Sequence, residues 1–181
     1  MKRFVLPSFV LGLVVSGVLS APTARAQDAL TGSWTLVASS TETAQRRSAI
    51  EAATQDLPSF MRARASERLT ERTTPLSELR ITVKGDQVEL TGRRKTLRLT
   101  VGGPAVPLEA EGRRASARAT RRSGDLVVKI EGDNGFRTTT YRPSKDGQRL
   151  VLDVEFHPQR LSTPVRYQVT YISTITPRNG D

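Results

Sequence analysis

This 181-residue chain has one histidine, His157, and no cysteine. A thiolate zinc site, a cysteine nucleophile, a disulfide scaffold and a multi-histidine metal centre are therefore excluded, and no cofactor is expected. His157 sits beside Pro158 where a strand should end, with no G-x-S-x-G context nearby. It is expected to be an exposed loop histidine rather than a general base. Asp153 and Glu155 share a strand face, as a pair of acid–base carboxylates would. They alternate with the apolar Leu152, Val154 and Phe156, so they are expected on a solvated outer face. The Gly102-Gly103-Pro104 loop lacks the lysine and the following helix that a phosphate cradle needs. No nucleophile–base pair can be assembled, and the chain is not expected to be an enzyme.

Two other patterns could bind rather than react. Lys and Arg number 28 against 18 acidic residues, for a formal charge of +10. Arg64, Arg68 and Arg72 recur every fourth residue along one helix face. They are a candidate contact for an anionic envelope surface, weighed against an ordinary solvated face. Few aromatics interleave the basic runs, so nucleic acid is not an expected partner. Ala115, Ala117 and Ala119 form a row of small residues where other strands supply Leu, Ile and Val. Either that row leaves room for a ligand, or a helix or a large aromatic such as Phe60 or Phe156 packs against it.

The elements that must position these residues follow from periodicity. Lys2 and Arg3, the apolar run Phe4 to Leu19 and Ala24-Arg25-Ala26 have the pattern of a signal peptide, residues 1–26, cleaved before Gln27. Loss of Lys2, Arg3 and Arg25 lowers the formal charge from +10 to +7. Residues 27–181 then form one domain, expected in the periplasm or secreted, and monomeric. A first strand carries Gly32-Ser33-Trp34. Apolar stripes at Ile50, Ala53 and Leu57, and at Met61, Ala65 and Leu69, predict a helix–turn–helix near 44–71, in segments 44–56 and 58–71 that meet at Pro58. From Leu79 the period becomes two, and turns such as Gly85-Asp86 and Asp133-Asn134-Gly135 separate nine or ten strands. Successive hairpins favour an antiparallel up-and-down barrel, all-β with a small helical insertion; a two-sheet sandwich is the alternative.

The Gly32-Ser33-Trp34 sequence on the first strand resembles the G-x-W motif of lipocalins and their calycin relatives. A helix pair after that strand is more similar to the fatty-acid-binding-protein branch. The resemblance implies that Trp34 plugs the closed end beneath a basic residue after the last strand, here Arg178, and that the helices cover the mouth. It implies an exported, non-enzymatic barrel for a small apolar or amphipathic ligand. The expected lining is Trp34, Leu97, Leu99, Ala115, Ala117, Ala119, Leu152, Val154 and Phe156. The alternative is a filled barrel whose outer surface meets a protein or an anionic envelope component. The branch's Arg-x-Tyr pair on the last strand is missing, because Arg166 and Tyr167 are adjacent and point to opposite faces. Arg137, Thr139 and Tyr141 share a face of another strand, with Phe136, Thr138 and Thr140 competing for the interior. Mass spectrometry of the chain from an envelope fraction should find its first residue at or near Gln27; an intact Met1 end would refute the signal peptide.

Overall fold

The computed structural model describes residues 29–93, 95–110 and 113–174. The signal-peptide segment and Arg178 lie outside them. A short first strand, β1 (Gly32–Leu36), leads into helices α1 (Ser40–Thr54) and α2 (Ser59–Thr73). Nine strands follow: β2 (Glu78–Lys84), β3 (Gln87–Gly92), β4 (Lys95–Thr100), β5 (Val106–Ala110), β6 (Arg113–Arg122), β7 (Asp125–Gly132), β8 (Gly135–Pro143), β9 (Arg149–Pro158) and β10 (Val165–Ser173). They form one antiparallel sheet in the order β4-β3-β2-β1-β10-β9-β8-β7-β6-β5. A single continuous sheet rules out the sandwich, and the sheet curls into a nearly closed barrel.

Turn chemistry sets the hairpins. Asp133 and Asn134 form a two-residue turn between the paired Gly132 and Gly135. Gly135 has φ +112°, and a Cβ there would collide with the carbonyl of His157, so only glycine fits.

The helices begin and end differently from their apolar stripes. α1 starts at Ser40, within the Ser39–Glu42 stretch that reads as a polar turn and start signal. The Ser39 Oγ accepts the Glu42 N–H at 3.2 Å and caps the first turn. α2 follows Pro58 at its N-cap and runs on to Thr73. Thr54 Oγ1 lies 3.2 Å from Ser66 Oγ and ties the two helices together. Ile50, Ala53 and Leu69 are buried as expected. Phe60 and Met61 are not: they are 81% and 47% exposed. Phe60 therefore does not pack on the alanine row.

That row meets another strand instead. Ala117 lies between Val106 and Ile130, and Ala119 beside Val128. Val101, just past β4, bridges to Ala119, and the Gly102 N–H donates to the Ala119 carbonyl at 2.9 Å. The small side chains let the β4 end close onto β6. Ala117 and Ala119 are both 0% exposed, so neither adjoins a space that would hold even one water.

Trp34 is 2% exposed, and its Nε1–H donates to the Leu30 carbonyl at 3.1 Å. A buried aromatic of this size holds its surroundings by dispersion and by area removed from water. Trp34→Ala should cost about 3–5 kcal/mol in denaturant unfolding. Ala117→Phe should cost about 1–3 kcal/mol by overpacking; an unchanged thermal midpoint would mean the core at β6 is hollow.

Candidate functional site

The alternation along β8 resolves which face enters the barrel. Thr139 and Tyr141 are buried, while Arg137 is half-buried and pairs across to Ile130 and Phe156. Phe136, Thr138 and Thr140 therefore face outward. Tyr167 and Tyr171 point inward from β10, and the Tyr171 hydroxyl donates to the Leu76 carbonyl at 2.9 Å. Burial raises the pKa of all three tyrosines, and the Arg137 guanidinium works against that rise at each. Arg137 therefore shares its surroundings with three phenols. For Tyr171 burial is the largest cause, reinforced by Tyr141 and Tyr167, and the pKa is pushed up to about 12.

Among the spaces at the helical end of the barrel, two lie on the α2 side. One, of about 430 Å³, is bordered by Ala115, Ile130 and Phe156, with Arg72, Arg137 and Asp133. The other, of about 610 Å³, is a groove between α2 and the start of the β9–β10 connection, floored by Leu57, Ala65, Leu69 and Leu161. Arg72, Asp133 and Asn134 border both, so the two spaces adjoin. Both volumes fall in the range of small-molecule sites.

The residues proposed from sequence as a ligand lining divide accordingly. Ala115 and Phe156 border the mouth cavity. Leu152 and Val154 lie inside in the core, and Leu97 packs partly buried against it. Leu99, Ala117 and Ala119 are 0–2% exposed and border neither space; Trp34, also 2% exposed, borders a separate space of about 470 Å³ with Arg80 and Thr91. Arg64, Arg68 and Arg72 do not form a face apart from the apolar groove; all three line it, beside Phe60 and Met61.

The outer-face residues are engaged with one another. Asp153 accepts from Arg142 Nη1 at 2.7 Å and Gln168 Nε2 at 2.6 Å. His157 lies within β9 rather than in a loop. Its ring stacks on Phe136 with centroids 4.3 Å apart, and its Nε2 lies 2.7 Å from Glu155 Oε1. That bond, followed by the one from Arg166, holds the Glu155 carboxyl below its ordinary pKa.

Sequence reasoning gave Arg137 no definite side and passed over Tyr167 and Tyr171 as site residues. The even spacing of Val165, Tyr167, Val169 and Tyr171 is the signal that places both tyrosines inside.

No protein-family model matches the sequence, and no curated protein matches it. Solved structures do match. A secretory abundant heat-soluble protein from Ramazzottius varieornatus aligns over 81% of this chain and 96% of its own, with TM-score 0.52 and 11% identity. The fatty-acid-binding protein of Manduca sexta aligns over 80% and 99%, with TM-score 0.49 and 14% identity. A Schistosoma mansoni fatty-acid-binding protein in complex with arachidonic acid aligns over 83% and 99%, at 0.48 and 11%. A ten-stranded, nearly closed antiparallel barrel with two helices after its first strand is a calycin-like barrel of the fatty-acid-binding-protein type.

The buried phenols give a pH test. A pKa above the unfolded value of about 10 means the native state holds the proton more tightly. The stabilisation from Tyr171 is then complete below about pH 10 and is lost as pH rises through about 12. Absorbance titration of the native protein should show all three phenols ionising later than a free tyrosine, with Tyr171 the latest at about pH 12; a tyrosine titrating like a free phenol would refute the buried cluster.

Proposed function

We propose that the chain is an exported, non-enzymatic carrier of a small anionic amphipath, held at the mouth of the barrel under the helix pair. Arg137 carries this reading. It points inward among Ile130 and Phe156, and among the described residues it makes no ion pair. A guanidinium drawn partly out of water without a counter-charge is costly, and a ligand carboxylate or equivalent anion offsets that cost. The apolar walls beside it suit the rest of an amphipath. The solved neighbours that include fatty-acid-binding proteins support a hydrophobic ligand at the level of fold alone.

The second reading is a filled barrel that works through its outer surface. The solid packing around Ala117 and Ala119 favours it, because that packing confines any ligand to the mouth.

Displacement of an anionic apolar dye by a long-chain carboxylate separates the two. The carrier binds dye and releases it to the carboxylate. Arg137→Gln, with its thermal midpoint checked, should weaken carboxylate binding by roughly 10- to 100-fold, as expected for a lost bond to a charged group. Absence of dye and carboxylate binding in the wild-type protein would leave the surface-acting reading.

A further inference from the structure

The groove along α2 holds more positive charge than a monocarboxylate ligand would answer. Arg64, Arg68 and Arg72 come from the helix and Arg160 from the connection after β9, all bordering one apolar space. Glu67 and Glu71 share the helix, yet among the described residues none of these four arginines forms an ion pair. Asp133 is the single acid on the border. Arginines four apart on a helix repel one another, and Glu67 and Glu71, three residues on from Arg64 and Arg68, offset only part of that repulsion. Arg62 behaves differently: its Nη2 donates to the carbonyls of Gln55 and Leu57 at 3.0 and 3.2 Å, bracing the turn between the helices.

Among the described residues, no side chain of the protein fills the apolar part either. Leu57, Ala65 and Leu69 face Leu161 across the groove, and Phe60 at its edge is 81% exposed. Arg72 stands where the groove meets the mouth cavity.

We propose that the ligand's head group is a phosphate monoester, seated on the arginine row at Arg72, with its alkyl chain lying in the α2 groove. This rests on the carrier reading and names the ligand's head-group class. Charge complementarity selects the head group. Four guanidiniums against one carboxylate leave a surplus of three, and a phosphate monoester carries about −1.5 to −2 near neutral pH with three acceptor oxygens. Those oxygens can take forked hydrogen bonds from more than one arginine, where a carboxylate has two oxygens to share.

Calorimetry on the whole protein with four ligands tests this: dodecyl phosphate, dodecanoate, dodecanol and inorganic phosphate. At about pH 7.5, where the phosphate is doubly ionised, dodecyl phosphate should bind about tenfold or more tighter than dodecanoate. The advantage should shrink at about pH 5, below the phosphate's second pKa near 6. Arg72→Gln and Arg68→Gln, both at exposed positions that leave the fold intact, should each reduce it severalfold, and inorganic phosphate should bind at least a hundredfold more weakly. Equal affinity for dodecyl phosphate and dodecanoate overturns the head-group assignment and leaves the carrier standing. Inorganic phosphate binding as tightly as dodecyl phosphate overturns the groove as the seat of the chain. If none of the three dodecyl compounds binds, the carrier reading fails and takes this inference with it.

Discussion

The helical end of the molecule depends on one carboxylate. β10 runs for nine residues while β1 runs for five, so β10 outlasts the neighbour that should pair its edge. Val37 takes the next bond, donating its N–H to the Thr170 carbonyl at 2.9 Å. Glu42, in the first turn of α1, then accepts from the Thr170 N–H at 3.1 Å and from its hydroxyl at 2.6 Å. A side chain thus substitutes for a missing strand, and an edge that would otherwise template aggregation is covered by a helix. Because Glu42 also lies three residues after the Ser39 cap, the start of α1 and its seating on the barrel are fixed together. From that seat α1 lays Ile50 and Ala53 on the core, and Ser66 brings α2 alongside.

Closure at the other side determines where empty space can be. β4 and β5 are the edges of the sheet and do not pair with each other. The gap is narrowed when Val101 and Gly102 reach Ala119, an approach that a leucine or valine at that position would block. The alanines are thus a docking seam for backbone, and their small volume is consumed by close approach rather than left as a lumen. The space beside Ala115 lies towards the helices, where Ala115 is no longer opposed by β4 and Gly132 faces it across the ladder. The cavity's position follows from the seam.

How much of this was legible depends on where the information resides. Strand order and hairpin turns are local: alternation at Leu150, Leu152, Val154 and Phe156 and the Asp133-Asn134-Gly135 turn are enough to place them. The burial of Trp34 is also local, following from its strand position and its reach back to Leu30. The orientation of Arg137 is not local, because β8 carries polar residues on both faces and only its register with Ile130 and Phe156 decides between them. The alanine row has the same ambiguity, since cavity and seam look identical until β4 is placed. Phe60 misleads for a different reason. Its apolar character predicts burial, but α2 turns its Leu69 side to the core and leaves Phe60, in its first turn, exposed. His157 is misplaced by its proline neighbour, which ends the strand one residue later than the histidine.

The two sets of arginines then differ in what the fold asks of them. On the outer wall, Arg142 and Arg166 are matched by Asp125, Asp153 and Glu155 at 2.6–3.1 Å, pairs that are exposed and contribute little to stability. At the helical end, Arg64, Arg68, Arg72 and Arg160 border an apolar groove and Arg137 stands half-buried inside, none of them in an ion pair among the described residues. Arg80, Arg118, Arg122 and Arg149 on the wall stand outside ion pairs as well, so the helical end is set apart by the gathering of several guanidiniums beside open apolar space, the arrangement an anionic amphipath requires.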